Sequence, residues 1–221
     1  MTLDNDTQTD APVLVLGATS GIGALTVDEA LGRGLHVRGF ARGADAMGPR
    51  DGLKPFVGDA QNPEDLTRAL QGVSAVIYAL GIKERPAMIW QTETLFSRTT
   101  AALIDAMQAT GVSRLVAVTG FGAGRSRDAM SKLEKLGHNA VLGRVYDDKS
   151  RQESLIMESG LDWTIARPVI LTKGARTGTA RVLRDPDEWR NGLISRSDVA
   201  AYLVDAVIEG LDIQRDVVLA R

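Results

Sequence analysis

Three glycines near the beginning of the sequence have the spacing of a phosphate-binding loop. The run Gly17-Ala-Thr-Ser-Gly21-Ile-Gly23 follows a short apolar segment and precedes residues with a helical period. Glycines at these positions permit a tight turn, let the backbone approach a pyrophosphate and allow the helix to pack closely on the strand. The helix N-terminus would direct backbone N–H groups towards the phosphates. The alternative is an ordinary turn with Thr19 or Ser20 as the N-cap.

The residues that follow the second predicted strand indicate which nucleotide would bind. NAD sites usually place an acidic side chain there for the ribose 2′-hydroxyl, whereas here the strand is followed by Ala41 and Arg42. A guanidinium suits a 2′-phosphate by charge and geometry. The sequence therefore favours NADP over NAD. The alternative is a solvated charge at the strand end, a description that fits Arg38 better than Arg42.

Two further strand ends carry candidate nucleotide contacts. Asp59 follows the third predicted strand within the run Gly58-Asp59-Ala60. Its carboxylate could accept a hydrogen bond from the adenine amino group or hold its own turn, and the spacing does not choose between these roles. The fourth strand ends in small residues, Ala79-Leu80-Gly81, where it would pass under the nicotinamide ribose.

The residue counts exclude several other kinds of chemistry. The sequence contains no cysteine, so it has no thiol nucleophile, no disulfide and no Cys-ligated metal site. Its two histidines, His36 and His138, do not follow a nucleophile-elbow pattern, and we expect no metal site. With 26 Lys and Arg residues against 28 Asp and Glu residues, the net charge of −2 gives no basic surface for a nucleic acid.

Length and hydropathy indicate one domain. A chain of 221 residues is long enough for a single α/β domain with its own core. No apolar run approaches the roughly 20 residues of a membrane helix, and residues 1–10 lack the apolar segment of an export signal. We expect a disordered lead over residues 1–10, one domain over residues 11–221, a cytoplasmic location and no membrane partner.

Short apolar runs alternate with stretches of helical period along the chain. We predict strands over residues 13–16, 36–40, 55–57, 75–79, 115–118, 163–166 and 217–219. We predict helices over residues 22–33, 64–70, 93–110, 141–159 and 198–209, with a capping box formed by Ser195 and Asp198 before the last. The alternation predicts an α/β fold with a doubly wound, mostly parallel sheet and helices on both faces. Residues 168–193 interrupt it and should form a small C-terminal substrate lobe.

These features together resemble the short-chain dehydrogenase/reductase superfamily. The resemblance is closest to its atypical branch of NAD(P)-binding proteins, which holds the flavin/biliverdin-IXβ reductases and the NmrA-like proteins. It is carried by Gly-Ala-Thr at 17–19, Arg42, Gly58-Asp59, residues 111–119, Asp148-Lys149 with Glu153, residues 159–168 and residues 194–200. The resemblance implies a Rossmann-type domain with NADP lying across the carboxyl edge of the sheet.

The same resemblance assigns cofactor contacts to particular positions. It implies pyrophosphate contacts at Gly17, Thr19, Ser20, Gly21 and Ile22, a 2′-phosphate contact at Arg42, and adenine contacts at Asp59 and Ala60. It implies nicotinamide-ribose contacts at Ala79, Leu80 and Gly81, a ribose contact at Lys149, and residues flanking the nicotinamide at Thr119, Pro168, Val169 and Ile170.

The catalytic pair departs from the family pattern. Most short-chain dehydrogenases use Tyr-xxx-Lys, in which the lysine lowers the phenol pKa. Here Tyr146 is followed by Lys149, one position early, and residue 150 is Ser. The candidate catalytic residues are Thr119, Tyr146 and Lys149. The alternatives are a tyrosine ring packed in the core and a solvated lysine.

The missing pair favours an acceptor whose reduced form takes its proton from water. Our leading hypothesis is an NADPH-dependent oxidoreductase that transfers hydride to a small conjugated acceptor, such as a flavin, a quinone or a tetrapyrrole. The acceptor would stack between residues 121–131 and the lobe, where Arg125 and Arg127 could meet an acidic group, while Trp163 and Trp189 serve packing. The alternatives are a non-catalytic NADP-sensing regulator that resembles the NmrA-like proteins, and a sugar epimerase or dehydratase. Monomer and homodimer both remain open.

Overall fold

A computed structural model describes residues 11–81 and 94–221, except for the side chains of residues 137–142. The predicted lead over residues 1–10, the first residue of the predicted helix over residues 93–110 and the side chain of His138 lie outside this description. No helix in the described part of the chain is long and apolar enough to cross a membrane.

An eight-stranded sheet forms the centre of the molecule. The strands of the protein are β1 (Val13–Leu16), β2 (Val37–Ala41), β3 (Leu53–Val57), β4 (Ala75–Tyr78), β5 (Arg114–Val118), β6 (Asp162–Pro168), β7 (Ile170–Thr172), β8 (Arg181–Leu183), β9 (Leu193–Ser195) and β10 (Arg215–Ala220). The sheet has the order β3-β2-β1-β4-β5-β6-β10-β8, in which all pairings are parallel except that of β8 with β10. The chain leaves β1 to one side for β2 and β3 and returns on its other side to β4, so the carboxyl ends of β1 and β4 flank the switch point at which such sheets bind ligands.

Helices cover both faces of this sheet. They are α1 (Gly21–Gly32), α2 (Pro63–Leu70), α3 (Leu95–Thr110), α4 (Lys132–Glu158) and α5 (Arg196–Ile208). The helices α1 and α5 pack on one face, and α2, α3 and α4 pack on the other. The central strands β1 and β4 are buried along their whole length, as expected for strands covered on both sides. The predicted doubly wound Rossmann-type fold is confirmed.

The fourth helix begins earlier than the sequence pattern predicts. It starts at Lys132 and not at residue 141, because Ser131 and Glu134 form a reciprocal capping box. The Ser131 N–H donates to the Glu134 carboxylate at 2.8 Å, and the Glu134 N–H donates to the Ser131 hydroxyl at 3.3 Å. Residues of weak helix propensity after this cap, such as Gly137, hide the first turns from a periodicity analysis.

The predicted lobe over residues 168–193 is only partly separate from the sheet. Ile170 on β7 is paired with Leu193 on β9 in a two-stranded parallel sheet. In contrast, β8 lies antiparallel to β10 and covers what would otherwise be an open sheet edge. The Trp189 indole donates to the carbonyl of Leu183 at 3.0 Å, which holds the rest of the segment against β8.

Asp198 connects the lobe to α5. Its backbone N–H donates to the Ser195 hydroxyl at 3.0 Å, which is half of the predicted capping box. Its carboxylate accepts from the N–H groups of Thr177 and Gly178 at 2.9 and 3.2 Å and from the hydroxyls of Thr177 and Ser195. Burial alone would raise the pKa of Asp198, but hydrogen bonds from Thr177 and Ser195 outweigh burial and lower it.

Asp198→Ala should therefore destabilise the protein by about 1 to 3 kcal/mol, because the buried Ser195 hydroxyl and the donors of Thr177 and Gly178 lose their shared acceptor. The measurement is urea denaturation at neutral pH. Folding lowers the pKa of Asp198, so its carboxylate adds to the free energy of unfolding above about pH 4. That stabilisation is lost as the pH falls below that value. Asp205→Ala is the control on the same helix, because Asp205 forms only a surface pair with Arg33 and should cost at most about 1 kcal/mol. Equal losses in the two variants would contradict this role of Asp198.

Candidate functional site

The glycine loop is shaped by contacts between backbone atoms. Gly17 has a φ of +84°, and a Cβ atom built on it would lie 2.7 Å from the carbonyl oxygen of Ala79. A Cβ atom on Gly23 would overlap the carbonyl oxygen of Gly17. Both positions must therefore be glycine. A side chain at either would prevent the close approach of strand β1 to the end of β4 and to the start of α1.

The first turn of α1 has the features of an anion-binding helix start. Ser20 occupies the N-cap position with extended backbone, but its hydroxyl makes no cap hydrogen bond. The first turn also contains no acidic residue. The alternative in which the Ser20 side chain caps the helix is therefore wrong, and the N-terminal N–H groups receive no hydrogen bond from it. Thr19, Ser20 and Gly21 are exposed, and Ile22 is half-buried.

The two arginines of the second strand have different environments. Arg42 follows the carboxyl end of β2, is exposed, and forms no hydrogen bond or ion pair within the described part of the chain. Arg38 is half-buried and donates to the carbonyls of Ala69 and Gln71 at 2.5 and 2.8 Å. The expectation of a solvated Arg38 is wrong, because its guanidinium caps the C-terminal end of α2.

The remaining predicted nucleotide contacts lie along the same sheet edge. The carboxylate of Asp59 accepts from the N–H of Gln61 at 3.0 Å, so it holds its own turn with one oxygen atom. Ala60 beside it is buried. At the end of β4, Ala79 and Leu80 are half-buried and Gly81 is exposed, next to Gly17.

The structure also brings the three candidate catalytic residues together. Thr119 follows β5, is buried, and donates its hydroxyl to the Glu153 carboxylate at 2.6 Å. The ammonium of Lys149 donates to the carbonyl of Thr119 at 2.5 Å and lies 5.1 and 5.5 Å from the ring centres of Phe96 and Tyr146. Burial lowers the pKa of Lys149 to about 8, although the nearby Glu153 charge raises it.

Tyr146 lacks the environment of a catalytic phenol. Its ring packs against Gly120, where a Cβ atom would lie 2.7 Å from the Tyr146 hydroxyl. Burial and the charge of Glu153 raise the pKa of this phenol, whereas the family pair lowers it. Ser150, at the position of the family lysine, accepts a hydrogen bond from the N–H of Gly124 at 2.9 Å. Residue 150 therefore fixes a loop and does not assist Tyr146.

A chain of buried charges lies behind these residues. Arg167 is fully buried and donates to both carboxylate oxygens of Glu153, at 3.0 and 2.7 Å, and to Asp216 at 2.5 Å. Asp216 also accepts two hydrogen bonds from Arg125. Burial raises the pKa of Asp216, but Arg125 and Arg167 outweigh that effect and lower it. The guanidinium groups of both arginines lie 5.1 Å from the centre of the Trp189 ring.

This network corrects the prediction for the arginines of residues 121–131. Arg125 is engaged by Asp216, and Arg127 pairs with Asp147 at 3.1 Å, so neither is held free for an acidic acceptor. The two tryptophans, Trp163 and Trp189, are buried, as predicted for packing residues. No group of metal-ligating side chains occurs in the described ranges.

The residues predicted to flank a nicotinamide lie at the end of β6. The carbonyl of Pro168 accepts from the N–H of Phe121 at 3.0 Å, which joins β6 to the loop after β5. Pro168 and Val169 are buried, whereas 57% of Ile170 is exposed. All the predicted site residues therefore follow the carboxyl ends of β1 to β6 or the start of α1, apart from Tyr146 and Lys149 on α4.

Comparison with known proteins agrees with this geometry. A family model described as NAD(P)H-binding matches residues 17–209. The chain belongs to this NAD(P)H-binding family. Its fold is also that of solved short-chain dehydrogenases/reductases that are 17% identical to it.

Three proteins illustrate what this NAD(P)H-binding protein is similar to. An uncharacterized chloroplastic protein of Arabidopsis thaliana is 28% identical over 206 residues, which are 89% of this chain and 72% of the other. The solved structure of ChuY, an anaerobillin reductase from Escherichia coli, has a TM-score of 0.76 and 27% identity, over 95% of this chain and 96% of ChuY. An uncharacterized sugar epimerase of Bacillus subtilis, YhfK, is 26% identical over 67% of this chain and 63% of its own length.

Sequence reasoning missed two members of the buried network of this NAD(P)H-binding protein. Arg167 appears only inside a run that carries the resemblance, and Asp216 appears nowhere among the candidates. A detectable signal was present, because each is a charged residue next to the apolar residues of a predicted strand. Such a residue must be paired if the strand is buried on both faces.

Arg167→Met should destabilise the protein by about 3 to 5 kcal/mol, because it leaves Glu153 and Asp216 buried without their shared partner. Arg125→Met is the matched control, with an expected cost of about 1 kcal/mol, because more than half of the Arg125 side chain is exposed. Urea denaturation at pH 7 and pH 4 measures both. Protonation of the unpaired carboxyl groups should make the decrease in unfolding free energy caused by Arg167→Met smaller at pH 4 than at pH 7. A loss that is the same at both pH values would overturn this interpretation.

Proposed function

We propose that this protein is an NADPH-dependent reductase that transfers hydride to a small conjugated acceptor. The observation that carries the proposal is the combination of an intact phosphate cradle with a missing proton relay. Gly17 and Gly23 leave room only for backbone, whereas the pKa of Tyr146 is raised and Ser150 replaces the family lysine. The similarity to ChuY, an anaerobillin reductase, supports the same class of reaction.

The residues at the sheet edge fit a dinucleotide phosphate. The uncapped first turn of α1 offers N–H groups to a pyrophosphate, and the exposed Arg42 offers an unpaired guanidinium where the ribose 2′-phosphate of NADP would lie. The free oxygen of Asp59 would accept from the adenine amino group, with Ala60 beside it. At the other end, Lys149 would hold a ribose hydroxyl while it stays bound to the carbonyl of Thr119.

A reduced nicotinamide supplies hydride when it is bound, and the protein supplies position. Pro168, Val169 and Ile170 would limit one side of the ring, and Ala79, Leu80 and Gly81 would lie under its ribose. A conjugated acceptor takes two electrons with the hydride, and its reduced form then takes a proton from water. No phenolate is needed in that sequence, so the high pKa of Tyr146 is no obstacle.

The name of YhfK favours a second candidate, a sugar epimerase. Epimerisation removes a proton from a sugar hydroxyl as hydride leaves its carbon atom, so it needs a base at the reacting centre. Tyr146 is poorly suited to that role, since burial and Glu153 raise the pKa of its phenol. We therefore place the reductase first.

Arg42→Ala should weaken NADPH binding by about tenfold to a hundredfold and leave NADH binding within about twofold, because it removes only the partner of the 2′-phosphate. Titration calorimetry with both dinucleotides measures this difference. Arg215→Ala is the control, because Arg215 is an exposed arginine at the amino end of β10, on the opposite edge of the sheet. Equal losses for the two dinucleotides would remove the NADP assignment.

Tyr146→Phe should leave the reduction of flavins, quinones and bilins within a few-fold of wild type, because the phenol takes no part in hydride transfer. The loss of nicotinamide absorbance reports the rate with each acceptor. A loss of about a hundredfold, the scale of acid catalysis, would restore Tyr146 as the proton donor. A wild-type protein that binds NADPH and reduces no acceptor would contradict the reductase and favour a dinucleotide sensor.

A further inference from the structure

Four large apolar side chains are exposed at the sheet edge that carries the candidate site. Leu133 and Leu136, in the first turns of α4, are 80% and 70% exposed, and Ile170 on β7 and Leu193 on β9 are 57% and 54% exposed. The helix α4 follows the loop from the carboxyl end of β5, and β7 follows the carboxyl end of β6. We call these four residues the apolar rim.

The two halves of the apolar rim lie on segments that are joined by a hydrogen bond. Ile170 and Leu193 are direct partners in the register of β7 and β9, so their side chains share one face of that small sheet. The side-chain amide of Asn191, close to Leu193, donates to the carboxylate of Glu134 at 3.0 Å. That bond joins the lobe to the turn of α4 that carries the two leucines.

The clustering of these side chains distinguishes them from other exposed apolar residues. Ile208 and Ile213 are also exposed, but they lie near the C-terminal end of α5 and before β10, at the opposite edge of the sheet. Scattered apolar residues are normal on a protein surface, whereas a group at the edge that carries the candidate site is a candidate binding surface.

Charge at the rim indicates what would bind there. Lys132 and Lys135 each immediately precede one of the two leucines, and their side chains form no hydrogen bond or ion pair with the described residues. Glu134 between them is engaged by Ser131 and Asn191. Cations in the first turn oppose the helix dipole, so these lysines do not serve the stability of α4. They are available to an anionic partner.

We propose that the apolar rim, with Lys132 and Lys135, binds the acceptor and selects a flat, conjugated small molecule with an extended apolar face and acidic groups at its margin. The inference rests on the proposed reductase function and narrows its substrate class. A flat conjugated face would cover the leucines and Ile170, and carboxylates at its margin would pair with the two lysines. A sugar has no apolar face of that size, and a small neutral quinone would cover only part of the rim and would pair with neither lysine.

The first test compares acceptors of different size in rim variants. Leu133→Ser/Leu136→Ser should raise KM for a linear tetrapyrrole dicarboxylic acid by about fivefold to tenfold, because apolar contact area is lost. KM for menadione, a small neutral quinone, should not change. Leu193→Ser is the second variant, with a rise in KM for the tetrapyrrole and no change in KM for menadione, and Ile208→Ser/Ile213→Ser is the control. An unchanged KM for the tetrapyrrole in both rim variants would overturn the proposal.

The second test separates charge from apolar contact. Lys132→Gln/Lys135→Gln should raise KM for the dicarboxylic acid severalfold at low salt and leave KM for its dimethyl ester unchanged. Equal effects on the acid and the ester would remove the lysines from the proposed surface.

A binding measurement keeps this inference separate from the reductase proposal. Anilinonaphthalene sulfonate, an apolar anion, should bind the wild-type protein and lose most of its fluorescence in both apolar variants, whether or not any acceptor is reduced. Equal fluorescence in wild type and variants would overturn the rim as a binding surface. Sedimentation gives the remaining outcome: a wild-type dimer that becomes a monomer in both variants would assign the rim to a second copy of the chain.

Discussion

The charge of Arg167 is the constraint on which the half of the molecule with the candidate catalytic residues depends. A guanidinium that is fully buried must be neutralised where it lies, and here Glu153 from α4 and Asp216 from β10 do so from two sides. Glu153 in turn accepts from Thr119 at the end of β5, and Asp216 accepts from Arg125 in the loop that follows. One buried charge thereby fixes the relative positions of a helix, three strands and a loop. The packing of Gly124 on the Glu153 carboxylate leaves no room for a side chain there.

The other half, with the glycine loop that would bind the nucleotide, is shaped by the absence of side chains and not by paired charges. Gly17 and Gly23 let three backbone segments meet at the switch point, and the side chain of the N-cap residue Ser20 does not cap the first turn of α1. Backbone N–H groups can bind an anion only where no side chain occupies the start of the helix. The candidate catalytic residues, in contrast, are side chains that paired charges hold in place. The two halves meet between the ends of β4 and β5, where Ala79 lies beside Gly17 and Thr119 lies beside Lys149.

The sequence predicts the features that depend on local pattern. Strand β1 has its predicted bounds and β4 ends one residue before its prediction, because continuous apolar runs mark strands buried on both faces. Pairings between distant segments could not be predicted in this way. The three residues of β8 form a strand only because β10 offers them an open edge, and the partner of Arg38 is a helix end thirty-one positions away. The spacing around Asp59 does not choose between its two predicted roles, and only the fold shows that one carboxylate oxygen accepts from the N–H of Gln61.

The position of Lys149 shows why a shift of one residue changes the chemistry of the centre. Three residues after Tyr146, the ammonium lies over the face of the phenol ring and is held by the Thr119 carbonyl. A cation over the ring face does not hydrogen-bond the phenol oxygen, so it cannot stabilise a phenolate there, and burial with the charge of Glu153 raises the phenol pKa. A centre without an accessible phenolate is suited to hydride acceptors that take their proton from solvent. Under the proposed reductase function, selection among such conjugated acceptors would depend on apolar surface and charge outside the reacting atoms.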